Sequence, residues 1–292
     1  MRQFGLLDVV AVGGLALACL GVLWMSTPPA DIDASFVPTV SSTAPSGWRP
    51  EHVLIDEGHW NTDLAMGRFK PLQKVIDADL FPMETDREKF HPDFLRGFDV
   101  LVIVNPLPLR AAVEYRLQSV GLLHSARGGG DGALTASEAR DVINWIRAGG
   151  GLLLVLSNEV SARAAAPLLR DLDLDLSRGQ GGLHEYRVTP SPLTPDDPKR
   201  ENHVLHLTGY GGLALHPPPA SLVLVQDGIS GTASCADFEL GKGRVVVVSD
   251  DGLLTAVRIR SDGQTILAGM SDPHADAQQF AVNLVRWLAG TQ

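Results

Sequence analysis

The sequence predicts an α/β fold on a mainly parallel sheet, with a small antiparallel extension. Three observations predict it. Four short apolar runs recur along the chain: HVLID, DVLVIVNP (Asp99 to Pro106), GLLLVLSN (Gly151 to Asn158) and KGRVVVVSDD (Lys242 to Asp251). Most are nearly continuous in apolar residues, as expected of strands covered on both faces. Segments of helical periodicity lie between and after them, and this alternation gives helices layered on a parallel sheet.

The elements follow in chain order. Phe4 to Met25 is a run of 22 residues, apolar except for Asp8. That length spans a bilayer. Arg2 precedes it and no Lys or Arg follows until Arg49, so the positive-inside rule places the rest of the chain outside the cytoplasm. The expectation is a transmembrane anchor over residues 1–25 and a single-pass protein of the cell membrane. A cleaved signal segment is the competitor, but Leu23-Trp24-Met25 after the small residues favours an uncleaved anchor. Ala16-Leu17-Ala18-Cys19 is an imperfect lipoprotein box, because the apolar run continues past Cys19. Residues 26–50 are rich in Pro, Ser and Thr and read as an extended linker. The folded domain is expected over 51–292.

Within it, Pro71 to Ala78 reads as a helix with proline in its first turn. Thr135 and Glu138 form a T-x-x-E capping box, and the helix behind it buries Ala139, Val142, Ile143 and Ile146 before Gly149 and Gly150 end it. VSARAAAPLLRDL is helical, split or kinked at Pro167. The stretch from Asp175 to Ser230 is irregular, with TPSPLTPDDPKREN a loop by composition and SLVLVQDG a strand. ADFELGKGRVVVV is a hairpin turning at GKG. The C-terminal DAQQFAVNLVRWLAG places Ala277, Phe280, Ala281, Leu284, Val285 and Leu288 on one helical face.

Composition excludes several functions. With 45% hydrophobic residues and 20% charged residues, the chain can build a core. Its net charge of −10 argues against a nucleic-acid partner. Two cysteines, Cys19 and Cys235, are too few for a disulfide framework. No Gly-rich phosphate loop is present.

Open α/β sheets bind ligands beyond the carboxyl ends of their strands. The first run ends in Asp56-Glu57-Gly58-His59 with Asn61 beyond, the second in Asn105, the third in Ser157-Asn158-Glu159 and the last in Ser249-Asp250-Asp251. Asp56, Glu57, His59, Asn61, Asn105, Asn158, Glu159 and Asp250 are therefore the candidate ligand-binding residues of one crevice. His59 is the best single candidate for chemistry, since imidazole works as base or ligand near neutral pH. The competing explanation is capping, because Asp, Asn and Ser satisfy free backbone N–H groups at strand ends and helix N-termini. Gly128 to Ala139 has only the second half of a calcium loop. His203, His206 and His216 lack a completing acidic or cysteine ligand. No metal and no cofactor is expected.

VLIDEGHWNTD, FDVLVIVNP, TASEARDVINWIRAGGGLLLVLSNEVSARAAAPLLRDL, LGKGRVVVVSDDGLL and QQFAVNLVRWLAG, in that order, resemble a family of bacterial membrane-anchored domains related to class I glutamine amidotransferases. Its relatives include auxiliary proteins of gliding-motility ABC transporters and the N-terminal domain of an intraflagellar transport protein. The resemblance implies a flavodoxin-like, three-layer sandwich, and pairs Asp56 with the His59-x-Asn61 stretch. It also implies a membrane-protein partner, an ABC transporter or a MoxR-type ATPase system. The amidotransferase cysteine is absent: Ser157-Asn158-Glu159 stands at that turn, where members often carry an Asp-His pair. The expectation is a non-catalytic binding or scaffold domain. The alternative is a hydrolase with His59 as base, oriented by Asp56 or Glu57, and Asn61 and Asn105 holding substrate.

Overall fold

The computed structural model describes residues 30–40, 52–60, 67–79, 81–119, 132–261 and 264–291. The expected membrane segment, Asn61 and the Gly128–Asp131 stretch lie outside the described residues. Among the described residues no helix is long and apolar enough to cross a membrane.

In chain order the elements are β1 (Ala30–Ile32), β2 (Val53–Asp56), α1 (Lys70–Ala78), β3 (Met83–Asp86), α2 (Pro92–Leu95), β4 (Val100–Val104), α3 (Leu109–Ser119), α4 (Ala136–Ala148) and β5 (Gly151–Val155). Then come α5 (Glu159–Ala164), α6 (Ala166–Asp171), β6 (Asp175–Ser177), β7 (Gly181–Val188), β8 (Leu207–Gly211), β9 (Ala214–His216), β10 (Leu222–Asp227), β11 (Ala233–Leu240) and β12 (Gly243–Val248). A 3₁₀ turn (Asp251–Leu254), β13 (Ala256–Ser261), β14 (Gln264–Gly269) and α7 (Ala277–Ala289) complete the described chain.

The main sheet runs β3-β2-β4-β5-β12-β11-β10-β7-β8. The first five strands pair in parallel. Ranked by position in the chain, those five follow the flavodoxin-like order 2-1-3-4-5. All residues of β2, β4 and β5 are buried, which is why their sequences do not alternate. Alternate side chains feed two cores. Val53, Ile55, Val100, Val102, Leu153 and Val246 pack with α1 and α7. Leu54, Leu101, Ile103, Leu152, Leu154 and Val247 pack with α4 and α6. The parallel half is therefore a three-layer sandwich, as the family resemblance implies.

Local signals behave as expected. Thr135 and Glu138 close the capping box of α4, and Gly149 ends that helix at φ 132°. Ala165 separates α5 from α6, with Pro167 in the first turn of the second piece. The hairpin β11–β12 turns between Leu240 and Gly243.

Two expectations are corrected. The antiparallel extension is large: β11, β10, β7 and β8 continue the sheet beyond β12, with β9 and β6 paired off that path. Residues read as irregular between Asp175 and Ser230 supply most of it. The expected linker 26–50 is also not an extended tether throughout. Its β1 pairs with β13, and Phe36 is buried in the main core. Arg258 donates to the Asp33 carboxylate at 2.8 Å and Ser271 at 2.9 Å. An apolar anchor and a paired buried carboxylate are tertiary contacts, which Pro/Ser/Thr composition does not report.

Candidate functional site

The order reversal of the parallel half falls between β2 and β4, which is where this topology usually opens its ligand crevice. Here the chain fills that place with its own side chains. Asp56 ends β2 and accepts from the Gly58 amide at 2.9 Å, folding the following residues back into an Asx turn. Gly58 permits this, because a Cβ there would stand 2.8 Å from the Glu88 carbonyl oxygen. The turn carries His59 inward to 0% exposure.

Both ring nitrogens of His59 are engaged. Nδ1 lies 2.9 and 3.0 Å from the two Asp56 carboxylate oxygens, and Nε2 lies 3.0 Å from Glu138 Oε1. The ring packs on Phe90 with centroids 4.6 Å apart. Glu138 uses its other oxygen to accept from the Thr135 amide at 2.9 Å and the Thr135 hydroxyl at 2.6 Å. One carboxylate thus caps α4 and closes the histidine. Burial opposes a charged ring, but the hydrogen bond and charge of Asp56, followed by Glu138, outweigh it and raise the His59 pKa. Burial likewise works against ionised Glu138, and bonds from Thr135 and then His59 prevail and lower its pKa. The result is an imidazolium clamped between two carboxylates.

A second group joins the ends of β4, β5 and β12. Asn105, at φ 41° in the left-handed region that Asn tolerates, accepts from the Ser157 amide at 2.8 Å and the Ser161 hydroxyl at 3.0 Å. Its amide donates to Ser157 Oγ at 2.9 Å and Asp251 Oδ2 at 3.4 Å. Arg68 forks onto Asp251 with two 3.2 Å bonds. These contacts tie the strand ends to one another, to α5 through Ser161 and to the turn before α1 through Arg68.

The remaining candidates separate. Glu57 is partly exposed and faces Arg87 at 3.4 Å. Asn158 is the N-cap of α5, accepting from the Ser161 amide at 2.9 Å. Glu159 is an exposed first-turn residue of α5, 3.8 Å from Arg163. Asp250 turns toward the antiparallel half, where it accepts from the Tyr186 hydroxyl, the Gly211 amide at 3.0 Å and the Gly252 amide at 2.8 Å. Burial, then the charge of Asp251, raises the Asp250 pKa. Burial, then the Asp250 charge, also raises that of Tyr186. Among the described residues, the strand-end residues therefore fall into three hydrogen-bonded groups. The hydrolase alternative needs an open nitrogen on His59, and the structure gives both nitrogens to carboxylates.

Glu138, Ser161, Asp251 and Tyr186 were not among the sequence candidates. Glu138 was legible as a cap, and its second use is a contact 79 residues away in sequence. Asp251 lay one residue from the chosen Asp250, and the turn after β12 decides which of the two faces Asn105.

Neither a protein-family description nor a curated protein matches the sequence. Solved structures are similar in fold. The N-terminal domain of mmIFT52 superposes with a TM-score of 0.57 at 11% identity, over 81% of this chain and 96% of that one. A ThuA-like protein from Bacteroides uniformis gives 0.47 at 12% identity, over 87% and 95% of the two chains. A GMP synthase-type protein from Thermoplasma acidophilum gives 0.43 at 8% identity, over 83% and 96%.

Proposed function

We propose that the chain is a non-catalytic scaffold domain on a degenerate amidotransferase-like fold, held at the cell membrane by residues 1–25 with the domain outside the cytoplasm. One observation carries the first part. At the place where this topology would open a ligand crevice, His59 is fully buried, with both nitrogens hydrogen-bonded to Asp56 and Glu138. A general base must reach the proton it removes, and a ring closed on both sides does not. The apolar run from Phe4 to Met25 and the charge asymmetry around it support the anchor and its orientation. A partner at the membrane, of the ABC-transporter or MoxR-type ATPase kind, follows from the family resemblance alone.

Two assays on full-length protein test this reading. Glutaminase and ester-hydrolysis activity of the wild type should equal that of His59→Gln, with neither above buffer. Turnover that depends on His59 would overturn the scaffold reading. Protease added to intact cells should digest the domain while residues 1–25 stay with the membrane. Protection of the domain would overturn the orientation.

A further inference from the structure

A second buried histidine sits in the antiparallel half, and its environment is the reverse of the first. His184 and Tyr186 are alternate residues of β7, both buried on the inward face of the strand. Asp227 ends β10 beside them. His184 Nδ1 lies 2.5 Å from Asp227 Oδ2. The other Asp227 oxygen accepts from the Ile229 amide at 3.1 Å, the Ser230 amide at 2.5 Å and the Ser230 hydroxyl at 2.7 Å. Burial pushes the Asp227 carboxyl up, but the Ser230 bonds and then His184 outweigh it and hold it at about 2. Asp227 is thus a fixed anion that selects Nδ1–H on the ring.

Nε2 then points away from Asp227. It is buried and has no hydrogen-bond partner among the described residues, on a side chain that is 8% exposed. Buried polar atoms are normally satisfied, and one that is not requires a reason. A cavity adjoins the same side chain. His184 and Tyr186 line a cavity of about 140 Å³, whose walls include Ser230, Thr232 and Ser234. Exposed Arg178 and Gln180 flank it. Gly212 forms another wall, and a Cβ there would stand 1.9 Å from the Ser249 carbonyl oxygen. The backbone of that wall is therefore packed tightly against the residues that follow β12.

We infer that this cavity is a binding site for a small neutral polyol, up to the size of a monosaccharide, with one ligand hydroxyl hydrogen-bonded to His184 Nε2. The chemistry selects that class. Nδ1 is committed to Asp227, so Nε2 is the open position of the ring, and a hydroxyl, which can both donate and accept, is the group that satisfies it. Tyr186 and Ser230 give their hydroxyl protons to Asp250 and Asp227 and so present acceptor oxygens, and Thr232 and Ser234 add hydroxyls to the walls, which suits a ligand made of hydroxyls. An anion fits poorly, since the Asp227 carboxylate stands directly behind His184 and the facing cation, Arg178, is at the solvent-exposed rim. The site is independent of the strand-end reading, so its failure leaves the closed His59 clamp untouched.

The test is a titration of glycerol, D-ribose and D-glucose against the full-length protein, read by the unfolding midpoint. Sugars excluded from protein surfaces raise any midpoint slightly, so the readout is the saturable excess of wild type over His184→Phe, which keeps ring volume and removes Nε2. A specific ligand stabilises the native state in proportion to its occupancy. At least one of the three should raise the wild-type midpoint by several degrees more than the variant's. On wild type alone, the same ligand should move the His184 Nε2 nitrogen resonance, which keeps the idea testable if His184→Phe fails to fold. Equal midpoint shifts in both proteins for all three compounds, or an unmoved Nε2 resonance, would overturn the site. Sodium acetate producing the saturable shift in place of the polyols would overturn the ligand class.

Discussion

His59 and His184 are both buried, both give Nδ1 to an aspartate, and differ in what meets Nε2. In the parallel half, Glu138 meets it at 3.0 Å, so both ring nitrogens are engaged, with Lys89 3.7 Å from the same Glu138 oxygen on the outer side. In the antiparallel half, nothing among the described residues meets it and a cavity stands alongside. The same Asp–His pair is thus a structural clamp in one place and an unfinished one in the other. A second carboxylate separates them, and it is supplied by a helix cap. A histidine at the expected end of an α/β strand is not by itself a site. The occupancy of its second nitrogen decides.

Substitution should separate the two histidines by their cost in stability. His59→Ala removes the cation from between two buried carboxylates and should cost about 3–5 kcal/mol of unfolding free energy, read from urea denaturation. A cost under about 1 kcal/mol would mean that the clamp is not holding the fold together. His184→Ala leaves Asp227 with its Ser230 and Ile229 donors, so it should cost less, about 1–3 kcal/mol. If the two costs come out reversed, the assignment of clamp and open pair is wrong.

Asp237→Asn sharpens the picture from the other side. Burial, with the nearby Glu239 charge adding to it, pushes the Asp237 carboxyl up to about 6, and its Oδ1 has no partner among the described residues. A carboxyl raised above its unfolded value of 3.8 favours the fold below 3.8, and that contribution is lost as pH rises toward 6. The asparagine variant should therefore be more stable than wild type above pH 6 by on the order of 1–3 kcal/mol, with the difference shrinking in acid. The smallest effect belongs to Glu159, an exposed residue 3.8 Å from Arg163. Glu159→Ala should change stability by less than about 0.5 kcal/mol, which would separate it from the functional set that strand-end position alone suggested.

The parallel half was legible because its central strands are buried on both faces and so are written as apolar runs. The Thr135–Glu138 cap, the break at Pro167 and the β11–β12 turn are local signals, and each lies within a few residues of its cause. The edge strand β3, Met-Glu-Thr-Asp, is mostly exposed and carries no apolar pattern to find. The joining of residues 30–40 to the body rests on Asp33 meeting Arg258 across 225 residues. The candidate site was less legible for the same reason. Asp56 and His59 sit three residues apart and could be paired by eye, but Glu138 is remote. The His184 cluster did leave a signal: His184 and Tyr186 alternate with exposed Glu185 and Arg187 along β7, a period-two pattern with a titratable residue on the buried side.

Nitrogen NMR of the His59 imidazole in the intact protein across pH tests the closed clamp most directly. The raised pKa of His59 means that its contribution is complete below 6.5 and is lost as pH rises through the raised folded value. The lowered pKa of Glu138 means that its contribution is complete above 4.5 and is lost as pH falls through the lowered one. Between 4.5 and 6.5 the clamp should be fully formed. Both nitrogens should then be protonated and their protons slow to exchange, with titration beginning only above 6.5 and accompanied by loss of stability. A His59 ring that titrates below 6.5, or whose Nε2 proton exchanges freely with solvent, would contradict the account and reopen the strand-end site as a place for chemistry.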